Sequence, residues 1–96
     1  SINHVSQYVC NKMEVNEKQI NGKSRTMNIA LARQIAMYLS RELTKSSLSN
    51  IGMHFGKRDH STVIHACKTI ETKINNDKEF ETNIKKMKQD LSTKSK

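Results

Sequence analysis

Apolar residues recur along the whole chain at steps of three and four, the spacing of amphipathic helices. Proline is absent and glycine occurs at only three positions, so little interrupts a helix. The pattern predicts an all-α fold with one compact core and no internal repeat. The predicted apolar stripes are Ile2, Val5, Val9 and Met13; Ile29, Ala32, Ile35, Ala36, Leu39 and Leu43; Leu48, Ile51 and Phe55; Val63, Cys67, Ile70 and Ile74; and Phe80, Ile84, Met87 and Leu91.

Polar residues and glycines predict where the helices of the first half begin and end. The first helix ends near Met13, and Asn16 can cap a short helical turn that stops before Gly22. A basic loop, KSRT at residues 23–26, then leads into a long helix from Asn28. The first half is therefore expected to hold two longer helices, separated by a short helical turn and a loop.

The second half contains a short helix that is followed closely by a longer one. One of the serines at 46–47 can cap a helix that ends at Gly56, and Asp59 can cap the next helix, which reaches residues 75–76. A last amphipathic helix follows, and the polar tail at residues 92–96 is expected to fray.

A short helix, a tight turn after glycine and a longer helix form the pattern of a helix-turn-helix, which here covers about residues 47–75. In such a unit the second helix enters the major groove of DNA with its first residues toward the base edges. Those leading residues, GKRDHST at 56–62, bring together cations, a carboxylate, an imidazole and hydroxyls. We interpret them as a surface that reads DNA.

The charge of the chain indicates a polyanionic partner. Lysine and arginine number 17 against nine aspartates and glutamates, a formal net charge of +8. The excess is local, because residues 23–70 hold eight cationic and two acidic side chains, whereas the charges of residues 1–22 cancel. A cationic excess concentrated in the loop, the long helix and the helix-turn-helix favours nucleic acid over general solubility.

Other classes of function find little support in the residues. There is no Gly-rich phosphate loop, nucleophile elbow or paired carboxylates, so we expect no enzyme activity and no cofactor in this domain. His60 and His65 lie about 500° apart around a helix and make a poor pair of ligands, so no metal is expected. Cys10 and Cys67 stand alone, as reduced core residues of a cytoplasmic protein do. No stretch has the roughly 18 apolar residues of a membrane span.

Each polar residue of the leading segment also has an ordinary structural explanation. Asp59 can be a plain helix cap or can accept a hydrogen bond from a cytosine amino group, and the two roles are compatible. His60 can be a solvated surface side chain or a donor to a base. Lys57, Arg58 and Thr62 suit phosphate oxygens, but they also suit a solvated, charged turn.

Four runs of the sequence, GKSRT, ARQIAMYLSREL, LSNIG and FGKRDHSTVIHACKTIE, together resemble the C-terminal DNA-binding domain of the bacterial replication initiator family DnaA. The likeness spans roughly residues 2–75. It implies binding of double-stranded DNA at short asymmetric origin sites, the DnaA boxes, by one monomer per box. It also implies that residues 1–96 are one domain of a longer, nucleoid-associated initiator, whose ATP-binding module lies N-terminal to them.

The resemblance implies roles for particular residues. Asp59, His60 and Ser61 match positions that contact base edges in the major groove, and Arg25 matches the arginine that enters the adjacent minor groove. Ser61 stands where threonine is common, so it lacks a methyl group that could contact a thymine methyl, and weaker selectivity at that base is expected. Positions that match phosphate-contacting or supporting residues are Arg33, Gln34, Arg41, Leu48 through its backbone, Ser49, Lys57, Arg58 and Thr62. Lys23 of the basic loop is a further candidate for the phosphates.

Two other functions remain as alternatives. A helical protein-interaction module would use a basic face and the last amphipathic helix on an acidic partner. An ordinary helix-turn-helix transcription regulator would bind a palindrome as a dimer, in contrast to one monomer on an asymmetric site.

Overall fold

The computed structural model describes residues 1–94, which form six α-helices and no strand. The predicted all-α fold is confirmed for this part of the chain. No helix within it is both long and apolar enough to cross a membrane. The helices are α1 (Ile2–Met13), α2 (Glu17–Asn21), α3 (Met27–Leu43), α4 (Leu48–His54), α5 (His60–Asn76) and α6 (Lys78–Lys94).

The ends of the shorter helices follow local signals in the sequence. Asn16 Oδ1 accepts from the Gln19 amide at 2.7 Å and Gln19 Oε1 accepts from the Asn16 amide at 3.0 Å, so α2 begins with a capping box. Glu14 ends α1 in the left-handed backbone conformation, with φ of 57°. Ser47 Oγ accepts from the amide of Asn50 at 3.1 Å and caps α4. The predicted caps at Asn16 and Ser47 are confirmed.

The central helix is α3, against which all five other helices pack. Ile35 and Leu39 of its apolar stripe are buried, and so are Val63 and Ile70 of α5. Burying a side chain of this kind contributes about 1.5 to 3 kcal/mol relative to leaving it in water. The core therefore fixes α5, the second helix of the helix-turn-helix, on α3.

The last helix is anchored by polar contacts as well as by its apolar stripe. Ile84 of the stripe is buried. Tyr8 Oη in α1 donates to Asp90 Oδ2 at 2.7 Å, and Lys88 Nζ donates to Tyr38 Oη in α3 at 3.2 Å. Burial, together with the bond to Asp90, raises the pKa of Tyr8 above its ordinary value. The stripe of α6 thus packs on the body of the domain.

The structure departs from the predicted elements at several places, among them the end of α4, which lies at His54 instead of Gly56. Helix α3 begins at Met27, one residue early, and Thr26 makes no side-chain cap hydrogen bond. Leu43 was predicted to lie in the core but is 36% exposed, because it lies in the last turn of α3. The predicted fraying of the tail is wrong as far as Lys94, where α6 ends, and residues 95–96 lie outside the described part.

Candidate nucleic-acid interface

The turn between α4 and α5 has a defined backbone. Gly56 and Lys57 both adopt positive φ, at 89° and 57°. The amide of Arg58 donates to the carbonyl oxygen of Gly52 at 2.7 Å. A Cβ at Gly52 would collide with the Arg58 carbonyl, so the close approach of α4 to the start of α5 requires glycine there. These contacts hold the two helices as a helix-turn-helix.

Asp59, His60 and Ser61 occupy the leading end of α5, and all three are exposed. His60 Nδ1 lies 2.9 Å from Asp59 Oδ1, and Ser61 Oγ donates to Asp59 Oδ2 at 3.2 Å. The hydrogen bond from Ser61 is the main reason that the pKa of Asp59 lies below its ordinary value. The three side chains form one surface group in mutual contact, which we call the reading cluster.

Asp59 occupies the N-cap position of α5, but its side chain makes no capping hydrogen bond. The predicted cap position is therefore confirmed, whereas the predicted capping hydrogen bond of the carboxylate is absent. The carboxylate lies against the His60 ring and the Ser61 hydroxyl instead. The first turn of α5 is closed by the backbone, because the amide of Thr62 donates to the Asp59 carbonyl at 3.0 Å.

The basic loop between α2 and α3 presents two exposed cations, Lys23 and Arg25. Ser24 Oγ donates to Thr26 Oγ1 at 3.2 Å and accepts from the Thr26 amide at 3.3 Å, which orders the loop locally. Arg25 also lines an open groove shared by α3 and α5. The loop therefore carries a guanidinium beside the helix-turn-helix.

A shallow cleft between α3 and α5 gathers several of the remaining candidates. Gln34, Arg58 and Thr62 line it together with His65. Amide, guanidinium and hydroxyl donors suit the oxygens of a phosphate group. His65 thus lies in the cleft, whereas His60 lies in the reading cluster. Among residues 1–94, no group of three His, Cys, Asp or Glu side chains could hold a metal ion.

Three further candidates lie late in α3 and at the start of α4. Arg41 Nη1 is 3.9 Å from Glu71 Oε2, and a hydrogen bond with the sulfur of buried Cys67 raises the pKa of Arg41. Leu48 packs on the core, and Ser49 is exposed in the first turn of α4, where amides have no partner within the helix. Arg41 is thus partly engaged inside the protein, whereas the start of α4 offers backbone donors.

Arg33 and Arg58 are held by the protein itself. Arg33 is only 8% exposed, and its Nε donates to the carbonyl oxygen of Ile20 at 2.7 Å. Nη2 of Arg33 and Nη2 of Arg58 both donate to the carbonyl oxygen of Gly22, at 3.2 and 2.6 Å. Burial lowers the pKa of both guanidinium groups. Sequence reasoning missed Gly22, because a backbone acceptor leaves no mark in a sequence.

The helix-turn-helix, with its polar leading end, agrees with a comparison against protein families. Residues 2–70 match the family model described as the bacterial dnaA protein helix-turn-helix. The chain belongs to this DnaA family. The match runs from α1 into α5, so the resemblance drawn from the sequence is confirmed.

Curated DnaA proteins match the same chain. It is 54% identical over 70 residues to the chromosomal replication initiator protein DnaA of Chlorobaculum tepidum, covering 73% of this chain and 14% of that protein. Over 91 residues it is 45% identical to that of Limosilactobacillus fermentum and 37% identical to that of Geotalea daltonii, covering 95% of this chain each time. The chain spans 21% and 20% of the length of those two DnaA proteins.

Proposed function

We propose that this DnaA-family domain binds double-stranded DNA during replication initiation, sequence-specifically, at asymmetric DnaA boxes and as one copy per box. The observation that carries the proposal is the division of α5. The reading cluster is exposed at its start, whereas Val63 and Ile70 on the following turns are fully buried. A helix fixed to the body along one face, with its polar end outward, has what major-groove reading requires. The name of the relatives, chromosomal replication initiator, supports the setting.

In the major groove the reading cluster supplies donors and an acceptor. The His60 ring nitrogen that faces Asp59 can turn to donate to a purine acceptor such as N7, and Asp59 accepts from a cytosine amino group. Ser61 pairs with either kind of base edge through its hydroxyl. The Ser61–Asp59 hydrogen bond and the His60–Asp59 contact hold these side chains together at the start of α5 until a base edge replaces them.

In the minor groove the proposed reader is Arg25. It is exposed and belongs to a loop outside the helix-turn-helix, so it is available to a second groove of the same box. A·T-rich DNA narrows the minor groove and concentrates negative potential there, which favours an inserted guanidinium. Two grooves read by two elements give an orientation to the site, consistent with an asymmetric box.

Phosphate contacts position the domain without carrying sequence information. Exposed Lys57 and the polar lining of the cleft between α3 and α5 support this role. Arg33 supports the fold, since its guanidinium is occupied by carbonyl oxygens. The phosphate-contacting set is Lys23, Gln34, Arg41, Leu48 and Ser49 at the start of α4, Lys57, Arg58 through its charge, and Thr62.

The proposed role is that of a DNA-binding domain, residues 1–96, within a longer initiator. We assign ATP binding to another module of the full-length protein, and we assign no catalytic residue, cofactor or metal to this domain. A chromosomal substrate places the protein at the nucleoid, in the cytoplasm.

The test is a titration of the domain with two duplexes of equal length, one holding a single box and one with that box scrambled, at several salt concentrations. We expect the box to bind on the order of 10³-fold tighter with one domain per duplex, and both affinities to fall as salt rises. Equal affinity for the two duplexes would contradict the proposal and favour a protein-interaction module. Two domains on a palindromic duplex would favour a dimeric regulator.

A further inference from the structure

Gly22 is the last residue before the basic loop, and its carbonyl oxygen accepts hydrogen bonds from two arginines. Arg58 Nη2 donates at 2.6 Å and Arg33 Nη2 at 3.2 Å. The donors come from different elements, since Arg58 lies in the turn of the helix-turn-helix and Arg33 lies in α3. We call these three residues the arginine clamp.

The clamp extends over the end of α2. Arg33 Nε donates to the Ile20 carbonyl at 2.7 Å, and its Nη2 also donates to the Gln19 carbonyl at 3.2 Å. These carbonyls belong to the last turn of α2, where a cation is favoured, and the Gln19 carbonyl also accepts from the amide of Gly22 at 3.2 Å. Arg33 therefore holds the end of α2 from which the basic loop departs.

Arg58 connects the clamp to the reading end of α5. Its Nη1 donates to the Phe55 carbonyl at 2.5 Å, and its amide donates to the Gly52 carbonyl at 2.7 Å. The next residue is Asp59 of the reading cluster. One side chain therefore joins the start of α5 to the residue before the loop that carries Arg25.

The clamp contains two like charges without an acid between them. None of the ion pairs among residues 1–94 includes Arg33 or Arg58. After burial, the nearby Arg58 is the second cause that lowers the pKa of Arg33. Like charges brought together away from water destabilise each other, and a polyanion bound nearby relieves that repulsion. The arrangement therefore favours the state with DNA bound.

We propose that the arginine clamp is a positioning device, in which Arg33 and Arg58 hold Gly22 so that Arg25 and the reading cluster meet the two grooves in register. The inference rests on the proposed function, since it assigns how the two groove contacts are kept at a fixed spacing. It gives the guanidinium groups of Arg33 and Arg58 to carbonyl oxygens of this chain, and a contribution of Arg58 to phosphate attraction then comes from its charge alone.

Lysine is the substitution that separates positioning from charge. Arg58→Lys keeps a positive charge for phosphates, but an ammonium group lacks the planar fork that reaches the Phe55 and Gly22 carbonyls together. A residue that acts through charge alone tolerates this change, and a clamp does not. Lys57→Ala is the matched control, because Lys57 is the adjacent cation and is exposed.

The experiment is a double-mutant cycle on a duplex with one box. In the wild-type background Arg25→Ala is expected to weaken binding about 10- to 100-fold. In the Arg58→Lys background the same change is expected to cost less than about 3-fold, because Arg25 is then already out of register. In the Lys57→Ala background, Arg25→Ala is expected to weaken binding as much as it does in the wild type. Arg33→Lys is a second clamp variant with the same expectation as Arg58→Lys.

The same variants are compared without DNA by NMR. In Arg58→Lys we expect lower backbone order parameters at residues 23–26 and faster solvent exchange of the Arg33 Nε–H, with neither change in Lys57→Ala. Additive losses in the cycle, or an unchanged loop in the free variants, overturn the clamp and leave the proposed function standing. A wild-type domain without preference for the box overturns the proposed function, and the measurement on the free protein then still decides whether the clamp orders the loop.

Discussion

The reading cluster and the arginine clamp meet at the start of α5, and both consist of polar side chains, yet they are held in opposite ways. In the reading cluster, His60 and Ser61 contact the Asp59 carboxylate at the surface. In the clamp, Arg33 and Arg58 donate to backbone carbonyls. Water or a base edge can replace the partners in the cluster, whereas the buried hydrogen bond from Arg33 to the Ile20 carbonyl has no ready substitute. We therefore expect the arginines that donate to backbone carbonyls to support the fold, and the exposed side chains of the reading cluster to be free for recognition.

The largest expected effect is a loss of stability when Arg33 of the arginine clamp is replaced. Arg33→Met keeps the apolar stem but leaves the Ile20 carbonyl without its donor in a buried site, and it removes one of the two donors at the Gly22 carbonyl. We expect the free energy of unfolding in urea to fall by about 2 to 3 kcal/mol. Exposed His60→Ala is the control and should change it by less than about 0.5 kcal/mol. A change for Arg33→Met as small as that for His60→Ala would show that the hydrogen bonds of Arg33 do not support the fold.

The next effect belongs to recognition. His60→Ala is expected to weaken binding to a box duplex by about 1 to 3 kcal/mol, because one base contact is lost. Binding to a scrambled duplex should hardly change, since that affinity comes from phosphate contacts. Fluorescence anisotropy titrations of both duplexes measure the difference. Equal losses on the two duplexes would show that His60 acts as a general contact.

Replacing Lys57 by glycine is expected to change stability and DNA affinity in opposite directions. Its φ of 57° suits glycine better than lysine, so Lys57→Gly should raise the free energy of unfolding by about 0.5 to 1 kcal/mol. The same change removes a cation, so affinity should fall for box and scrambled duplexes alike. The slope of the logarithm of the binding constant against the logarithm of the salt concentration should fall in magnitude by about 1. Lys57→Ala is the matched control, which loses the cation without the backbone gain. A Lys57→Gly domain no more stable than Lys57→Ala would contradict this explanation.

The smallest expected effect comes from ionisation within the reading cluster. The pKa of Asp59 is lowered in the fold, chiefly by the Ser61 hydroxyl. The ionised carboxylate therefore stabilises the native state at pH values above 3.8, the ordinary pKa of the group. That contribution is lost as pH falls through the lowered pKa. The difference in Tm between wild type and Asp59→Asn should therefore shrink toward zero in acid, and it should be small throughout because the carboxylate is exposed. A difference that persists in strong acid would point away from the ionised carboxylate.

The helices were predictable because their signals are local. Asn16 and Gln19 form a capping box within four residues, and steps of three and four mark the buried faces of α3 and α5. Leu43 followed the same steps but is 36% exposed, because periodicity identifies a face of a helix without saying where neighbouring helices stop covering it.

The sequence nominates the members of the candidate site, whose DNA contacts stay predictions, but it does not give the contacts that these side chains make within the protein. Residue type and the family resemblance selected Arg33 and Arg58, but their shared acceptor, the carbonyl of Gly22, is distant in sequence and chemically identical to every other carbonyl. For Asp59, local sequence offered a cap, whereas the side chain lies against its neighbours His60 and Ser61. Choices between two short-range partners depend on rotamers that a sequence pattern does not specify.

Gly56 has a consequence for how the domain folds and opens. A Cβ there would collide with the carbonyl oxygen of Asn21, so the turn of the helix-turn-helix lies directly against the end of α2. A helix of five residues has no stability of its own, because its nucleation cost is not recovered over so few hydrogen bonds. The end of α2 therefore draws support from the helix-turn-helix as well as from α1 and α3, and we expect opening of the turn to loosen the start of the basic loop.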